Sequence, residues 1–148
     1  MNDKPANSFQ HERPPSLTQA KGTFDVKVAP LPPDGGAQDA TLGRMSLDKQ
    51  FHGDLEASGK GQMLTAGAPS GSGAYVAIER VTGSLHGRNG SSLLQHSGTM
   101  TRGQPQMTIA VVPDSGADEL AGISGNLAIQ IVDGKHFYNF DYTLSETS

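Results

Sequence analysis

The segment GNLAIQIVDGKHFYNFDYTL (Gly125–Leu144) carries the clearest indication of the fold class. Apolar and polar residues alternate with period two on both sides of Asp133-Gly134, a dipeptide that strongly favours a two-residue hairpin turn. The turn pairs large residues across the hairpin, namely Ile131 with His136, Ile129 with Tyr138 and Leu127 with Phe140. The segment therefore predicts a β-hairpin with one apolar face and one polar face.

The same alternation recurs along the chain, and no segment has a convincing helical stripe. We predict eight strands, at about residues 21–29, 41–51, 55–66, 73–86, 91–101, 104–112, 123–132 and 135–144. One helical turn is expected at Asp114–Leu120. Because the connections after Ala40 are short, the pattern predicts an all-β fold, a single eight-stranded antiparallel up-and-down β-barrel.

Composition excludes several classes of protein. The 148 residues include 19 glycines, 9 prolines and no cysteine, with a formal net charge of −4. The lack of cysteine excludes disulfides, cysteine-ligated zinc and thiol catalysis. No apolar run is long enough for a membrane helix, and a mildly acidic chain has no electrostatic reason to bind nucleic acid or an anionic membrane.

The prolines and glycines occupy different parts of the chain. Residues 1–20 are polar, contain prolines and lack the apolar core of a secretory signal, so we expect a flexible tail and a cytoplasmic location. Residues 21–148 form the predicted barrel domain, with a long loop at Pro30–Ala40.

Turn chemistry predicts the register of the other hairpins. The expected turns are Asn89-Gly90, Arg102-Gly103 and a three-residue loop, His52–Asp54, with Gly53 left-handed. The predicted pairs include Leu85 with Leu94, Gly98 with Met107, Phe51 with Leu55 and Lys49 with Ala57.

The predicted inward face carries five glycines, Gly43, Gly59, Gly61, Gly83 and Gly98. Such glycines either leave a cavity or ease strand bending and tight packing.

Three polar residues fall on the inward face, Lys49, Glu79 and His96. A charge on an apolar face must be paired, hydrated or neutral. In one interpretation all three line a ligand cavity and are catalytic candidates, with Glu79 or His96 as acid or base. In the other, Lys49 and Glu79 form an interior ion pair with His96 hydrogen-bonded nearby.

An aromatic row on the last strand offers a second candidate surface. His136, Tyr138, Phe140 and Tyr142 either line a pocket for a flat or lipid-like ligand or fill the core with their polar groups at the rim. The predicted ligand-binding residues are Lys49, Tyr75, Glu79, His96, Tyr138, Phe140 and Tyr142.

Metal and cofactor motifs are lacking. The five histidines show no His-x-His or His-x-x-x-His spacing, so we expect no metal site. Gly59-Lys60-Gly61 lacks the context of a phosphate-binding loop, and we expect no cofactor.

An apolar outer surface predicts self-association. Val76 and Ile78 lie on the outer face of the fourth strand, and MTIAVV (Met107–Val112) is apolar on both faces of the sixth. We therefore expect a homo-oligomer formed through the outer faces of these strands, unless the tail or the Pro30–Ala40 loop covers them.

Several strings in order resemble a bacterial domain-of-unknown-function family, DUF3224. They are GRMSLDKQFHGDLEASGKGQML (43–64), GAYVAIERVTGSLHGRNGS (73–91), LLQHSGTMTRG (93–103), VVPDSGADELAGISG (111–125) and GKHFYNFDYTL (134–144). The resemblance implies an allene-oxide-cyclase-like β-barrel and no established activity, and shared fold alone does not transfer chemistry.

Three functions are compatible with this sequence. The first is binding of a small apolar ligand in the barrel interior. The alternative is a cofactor-independent isomerase or cyclase acting inside the barrel. The third is an oligomeric scaffold with a filled core.

Overall fold

A computed structural model describes residues 17–32 and 40–145. Within these ranges the chain forms nine strands and no helix. The strands are β1 (Thr18–Pro30), β2 (Leu42–Gly53), β3 (Leu55–Ala68), β4 (Ser72–Leu85), β5 (Arg88–Thr101), β6 (Gln104–Val111), β7 (Ala117–Asp118), β8 (Ile123–Val132) and β9 (Lys135–Leu144). Most of the predicted tail and loop, residues 1–16 and 33–39, lies outside the described residues.

Eight of the strands close into an antiparallel ring. The order around the ring is β1, β2, β3, β4, β5, β6, β8 and β9, and β9 pairs with β1. Strand β7 pairs with β5 outside the ring. The prediction of an all-β, eight-stranded antiparallel barrel is therefore confirmed.

Two predicted hairpin registers are also confirmed. Ile129 lies opposite Tyr138 across the Asp133-Gly134 turn. Gly98 lies opposite Met107 across the Arg102-Gly103 turn. In both hairpins the turn residues have the positive φ angles that a two-residue turn of this kind requires.

The predicted turn between β4 and β5 is wrong. The turn is His86-Gly87, with φ angles of 47° and 82°, and Asn89-Gly90 lies within β5. Strand β7 pairs with Gly90, and a Cβ atom there would collide with the Ala117 carbonyl oxygen. Gly90 therefore serves the close pairing of β5 with β7 rather than a turn. Because the register differs by an even number of residues, the inward face is unchanged.

The predicted loop between β2 and β3 is also too short. Phe51 pairs with Ala57 rather than Leu55, and Lys49 pairs with Gly59. The loop is wider because Leu55 turns into the core, where its backbone N–H donates to the Tyr138 hydroxyl over 2.9 Å. Gly53 does have the predicted left-handed conformation, with φ of 111°.

Two local predictions need correction, one between β6 and β8 and one at the start of β1. Asp114–Leu120 is not helical, since residues 117 and 118 form β7 and Asp118 has a φ of 58° that no α-helix accommodates. Leu120 instead packs into the core. Strand β1 begins at Thr18, earlier than predicted, because Thr18 pairs with Tyr142 of β9.

The two ends of the barrel differ. At one end, here called the closed end, the side chains of Leu55, Leu85, Leu120 and Ile123 are buried together. The cavity among them has a volume of about 20 Å³, which is room for a single water molecule. The inward glycines in the middle of the barrel serve tight packing, because Cβ atoms at Gly59 and Gly98 would collide with the side chains of Glu79 and Tyr75.

Candidate functional site

Lys49, Glu79 and His96 meet inside the barrel. Glu79 Oε1 accepts hydrogen bonds from Lys49 Nζ over 3.2 Å and from His96 Nε2 over 2.8 Å. Their exposed fractions are 4%, 0% and 3%. The predicted interior ion pair with a hydrogen-bonded histidine is therefore present, and we call these three residues the charge cluster.

Glycines on β3 bring the cluster together. Lys49 lies on β2 and Glu79 on β4, so strand β3 separates them. The β3 residues opposite them are Gly59 and Gly61, which leave space for the two side chains to meet above the strand. Gly59 and Gly61 are therefore part of the site, because the lack of side chains at these positions leaves room for the charge cluster.

Lys49 is stabilised by aromatic rings as well as by Glu79. Its Nζ atom lies 5.0 Å from the ring centroid of Phe24 and 5.6 Å from that of Phe51. Burial lowers the pKa of Lys49, while the Glu79 carboxylate opposes that shift. The ring faces and the carboxylate together offset part of the desolvation of the ammonium group.

The two carboxylate oxygens of Glu79 differ in their hydrogen bonding. Both hydrogen bonds go to Oε1, and the buried Oε2 has no hydrogen-bond partner among the described residues. Oε2 faces the backbone of Gly59. A buried carboxylate oxygen with free lone pairs is the chemically unusual feature of this cluster.

Tyr75 lies beside His96, a member of the charge cluster. Its ring centroid is 6.3 Å from that of His96, and the ring packs on Gly98. Burial raises the pKa of Tyr75, and the charge of Glu79 raises it further. The phenol therefore stays protonated at neutral pH and can donate a hydrogen bond.

Beyond Tyr75 the barrel opens. Inward-facing residues at this end are half-buried or exposed, with exposed fractions of 42% for Val28, 47% for Met107 and 64% for Ile131. We call this end the mouth, and its inward residues are Val28, Met45, Met63, Tyr75, Met100, Met107 and Ile131. A pocket of about 240 Å³ lies at the mouth between β4, β5 and β6.

The aromatic row of β9 lies at the closed end instead. The Tyr138 hydroxyl donates to the His52 carbonyl over 3.0 Å, and the Phe140 and Tyr142 rings stack with centroids 5.3 Å apart. The Tyr142 hydroxyl and His86 Nδ1 lie 2.6 Å apart. Burial raises the pKa of Tyr138 and of Tyr142. The structure thus separates these three predicted site residues from the charge cluster and Tyr75.

Sequence reasoning missed the apolar residues of the mouth. Val28, Met107 and Ile131 all follow the period-two pattern, so their inward direction was readable from the sequence. Their exposure to solvent could not be predicted from the sequence, because it depends on which end of the barrel is closed.

Among the described residues there is neither a cluster of three or more His, Cys, Asp or Glu suited to a metal ion nor a helix able to cross a membrane.

The chain is thus a closed antiparallel barrel with a buried Lys–Glu–His cluster beneath an apolar mouth. The family model DUF3224, described as a protein of unknown function, matches residues 20–142, and the chain belongs to this family.

A solved structure supports the same assignment. The crystal structure of a DUF3224-family protein of unknown function from Shewanella oneidensis MR-1 is 48% identical to this chain. The match covers 89% of this chain and 100% of that one, with a TM-score of 0.83. Comparison with curated proteins finds no match.

Proposed function

We propose that this protein binds a small, largely apolar molecule at the mouth of the barrel. The observation that carries the proposal is the exposure of inward apolar side chains at this end, including Val28, Met107 and Ile131. Concave apolar surface gains roughly 25 cal/mol for each Å² that a ligand removes from water. The closed end has room for only one water, so the mouth is the part of the interior that a ligand can enter.

The neighbouring polar groups favour a ligand with a neutral polar end. Lys49 and Glu79 already neutralise each other, so a charged group entering beside them would lack a counter-ion. Tyr75 lines the mouth pocket and keeps its proton. A hydroxyl or carbonyl group of the ligand would fit beside the Tyr75 hydroxyl. Contact of a ligand with Tyr138, Phe140 or Tyr142 remains a prediction that requires entry into the closed end.

The test is binding of N-phenyl-1-naphthylamine, a neutral apolar fluorescent probe. We expect Met107→Glu to weaken probe binding at least tenfold, because it places a charge on the apolar wall. Thr108→Glu is the matched control, since Thr108 is the next residue and faces outward. Equal probe affinity for the two variants, or no binding by the unaltered protein, would overturn the proposal.

A second candidate function is a cofactor-independent isomerase or cyclase, in which Glu79 or His96 moves a proton. The observation that favours it is the unpartnered Oε2 atom of Glu79, which has lone pairs available for a substrate proton. The protein purified from its own cell with a retained ligand would be incubated in D2O. Deuterium incorporation by the unaltered protein but not by Glu79→Gln would support catalysis, and equal incorporation would remove Glu79 from it.

We further propose that the outer faces of the fourth strand (β4) and the sixth (β6) associate with a second copy of the chain. On β4, Val76 and Ile78 are exposed, next to exposed Leu64 on β3. The outward positions on either side of Ile78 are Gln62 and Gln95, so the centre of this patch carries no charge that a second copy would bury. A cytoplasmic location remains a prediction, which cell fractionation tests.

A further inference from the structure

Methionine occurs in one part of this barrel. The chain has five methionines, and all except Met1, which lies outside the described residues, occupy inward positions at the mouth. They are Met45 on β2, Met63 on β3, Met100 on β5 and Met107 on β6. The closed end is filled by leucine and isoleucine instead. The choice of side chain therefore differs between two ends that are both apolar.

Met100 and Met107 are neighbours. Gly98 lies opposite Met107, and Met100 lies opposite Pro105, so the two methionines are diagonal partners on one face of the β5–β6 hairpin. Diagonal partners are about 7–8 Å apart at the backbone, which long side chains span. Both line the 240 Å³ pocket at the mouth, together with Tyr75, and both are exposed enough to be reached from solvent.

The chemistry of this pair is that of a soft ligand. Thioether sulfur is neutral and polarisable, and it selects Cu(I) and similar soft monovalent ions over Zn²⁺, Mg²⁺ or Ca²⁺. The chain contains no cysteine, so its methionines supply its only sulfur atoms. The Tyr75 ring in the same pocket adds a face that attracts cations.

We propose that Met100 and Met107 bind a soft monovalent metal ion of the Cu(I) class at the mouth. The site goes beyond binding of an apolar molecule, although it uses part of the same pocket. Leucine has a similar volume and keeps the surface apolar, whereas only the sulfur atoms supply metal ligands. Exchange of methionine for leucine therefore separates the two functions.

The experiment uses Ag(I), a redox-inert ion of the same class, in chloride-free buffer with the full chain. We expect one tightly bound Ag(I) per chain by calorimetry and native mass spectrometry. The ε-methyl NMR signals of Met100 and Met107 should shift on titration. The double variant Met100→Leu/Met107→Leu should weaken Ag(I) binding at least tenfold. Met45 and Met63 are directly opposite each other but lie outside the 240 Å³ pocket, so the matched control Met45→Leu/Met63→Leu should leave the affinity within twofold.

Results that would overturn the metal site are distinct from those that test the apolar ligand. Unchanged Ag(I) affinity in Met100→Leu/Met107→Leu, methyl shifts confined to Met45 and Met63, or equally tight binding of Zn²⁺ would each refute it. The same double variant should still bind N-phenyl-1-naphthylamine, because leucine keeps the pocket apolar. Loss of Ag(I) binding with retained probe binding thus supports both proposals independently.

Discussion

Lys49 and Glu79 form a salt bridge inside the barrel, with 3.2 Å between Nζ and Oε1, although a whole strand lies between them. The bridge exists because Gly59 and Gly61 occupy the intervening positions of β3. His96 completes the arrangement by donating to the same carboxylate oxygen. The cluster thus requires its three polar residues and also glycine at residues 59 and 61, where a side chain would fill the space between Lys49 and Glu79.

Gly59→Ala tests the role of that space. A Cβ atom at residue 59 collides with Glu79 Oε2, so we expect the free energy of unfolding to fall by about 1–3 kcal/mol. Gly67→Ala is the control, since its Cβ atom would meet only the Thr41 carbonyl oxygen, at 4.0 Å. Urea unfolding of both variants measures the difference. Equal stability of the two variants would mean that Gly59 is not needed for the cluster.

Removal of one member of the ion pair should cost more than removal of both. Lys49→Met leaves a buried carboxylate without its counter-ion, and we expect a loss of about 3–5 kcal/mol in unfolding free energy. The double variant Lys49→Met/Glu79→Leu removes both charges and should recover most of that loss. Chemical denaturation of the single and double variants measures the coupling. Additive effects would show that the pair contributes no direct interaction.

Tyr75 should report the charge of Glu79. Burial and that charge raise the pKa of Tyr75 above 10.0, so its contribution to stability is complete below pH 10 and is lost as pH rises through the higher folded value. Glu79→Gln removes one cause and should lower the pKa of Tyr75 while leaving that of Tyr138 unchanged. NMR titration of tyrosine Cζ signals makes the comparison. An unmoved Tyr75 signal would indicate that Glu79 carries no charge.

Tyr138→Phe should destabilise the closed end. Its hydroxyl accepts from the Leu55 N–H and donates to the His52 carbonyl, so the variant leaves a buried backbone donor unpartnered. We expect a loss of about 1–3 kcal/mol in unfolding free energy. Thermal and urea unfolding measure it. Phe140→Leu, which removes no hydrogen bond, serves as the comparison for lost packing alone, and faster exchange of the Leu55 amide should occur only in Tyr138→Phe.

Ile78→Glu tests self-association through the outer face. If two copies meet there, the introduced charge is buried against its own copy and the assembly should dissociate to monomers. Thr23→Glu adds the same charge on the outer face of β1, across the ring from β4 and β6, and should leave the assembly intact. Sedimentation velocity gives the masses. A monomeric unaltered protein, or equal behaviour of the two variants, would contradict the proposed interface.

Much of the candidate site was predictable from sequence despite errors in two hairpins. The sequence predicts the wrong register for β4 with β5 and for β2 with β3, yet it predicts the correct inward face for Lys49, Glu79 and His96. Each error amounted to an even number of residues, and an even shift returns every side chain to the same face. Asn89-Gly90 is a stronger local turn signal than His86-Gly87, yet the structure pairs Gly90 with Gly83 of β4 and with Asp118 of β7.

The barrel, its inward face and the polar residues on that face could all be predicted from the amino-acid pattern. These properties follow from the period-two geometry of a strand, which is local. Three relationships became visible only in the folded chain: Lys49 contacts Glu79, thirty residues away, the β9 aromatics pack at the closed end, and four methionines lie around the open mouth. Those relationships depend on ring closure and on the stagger of the strands, which no single segment of the chain encodes.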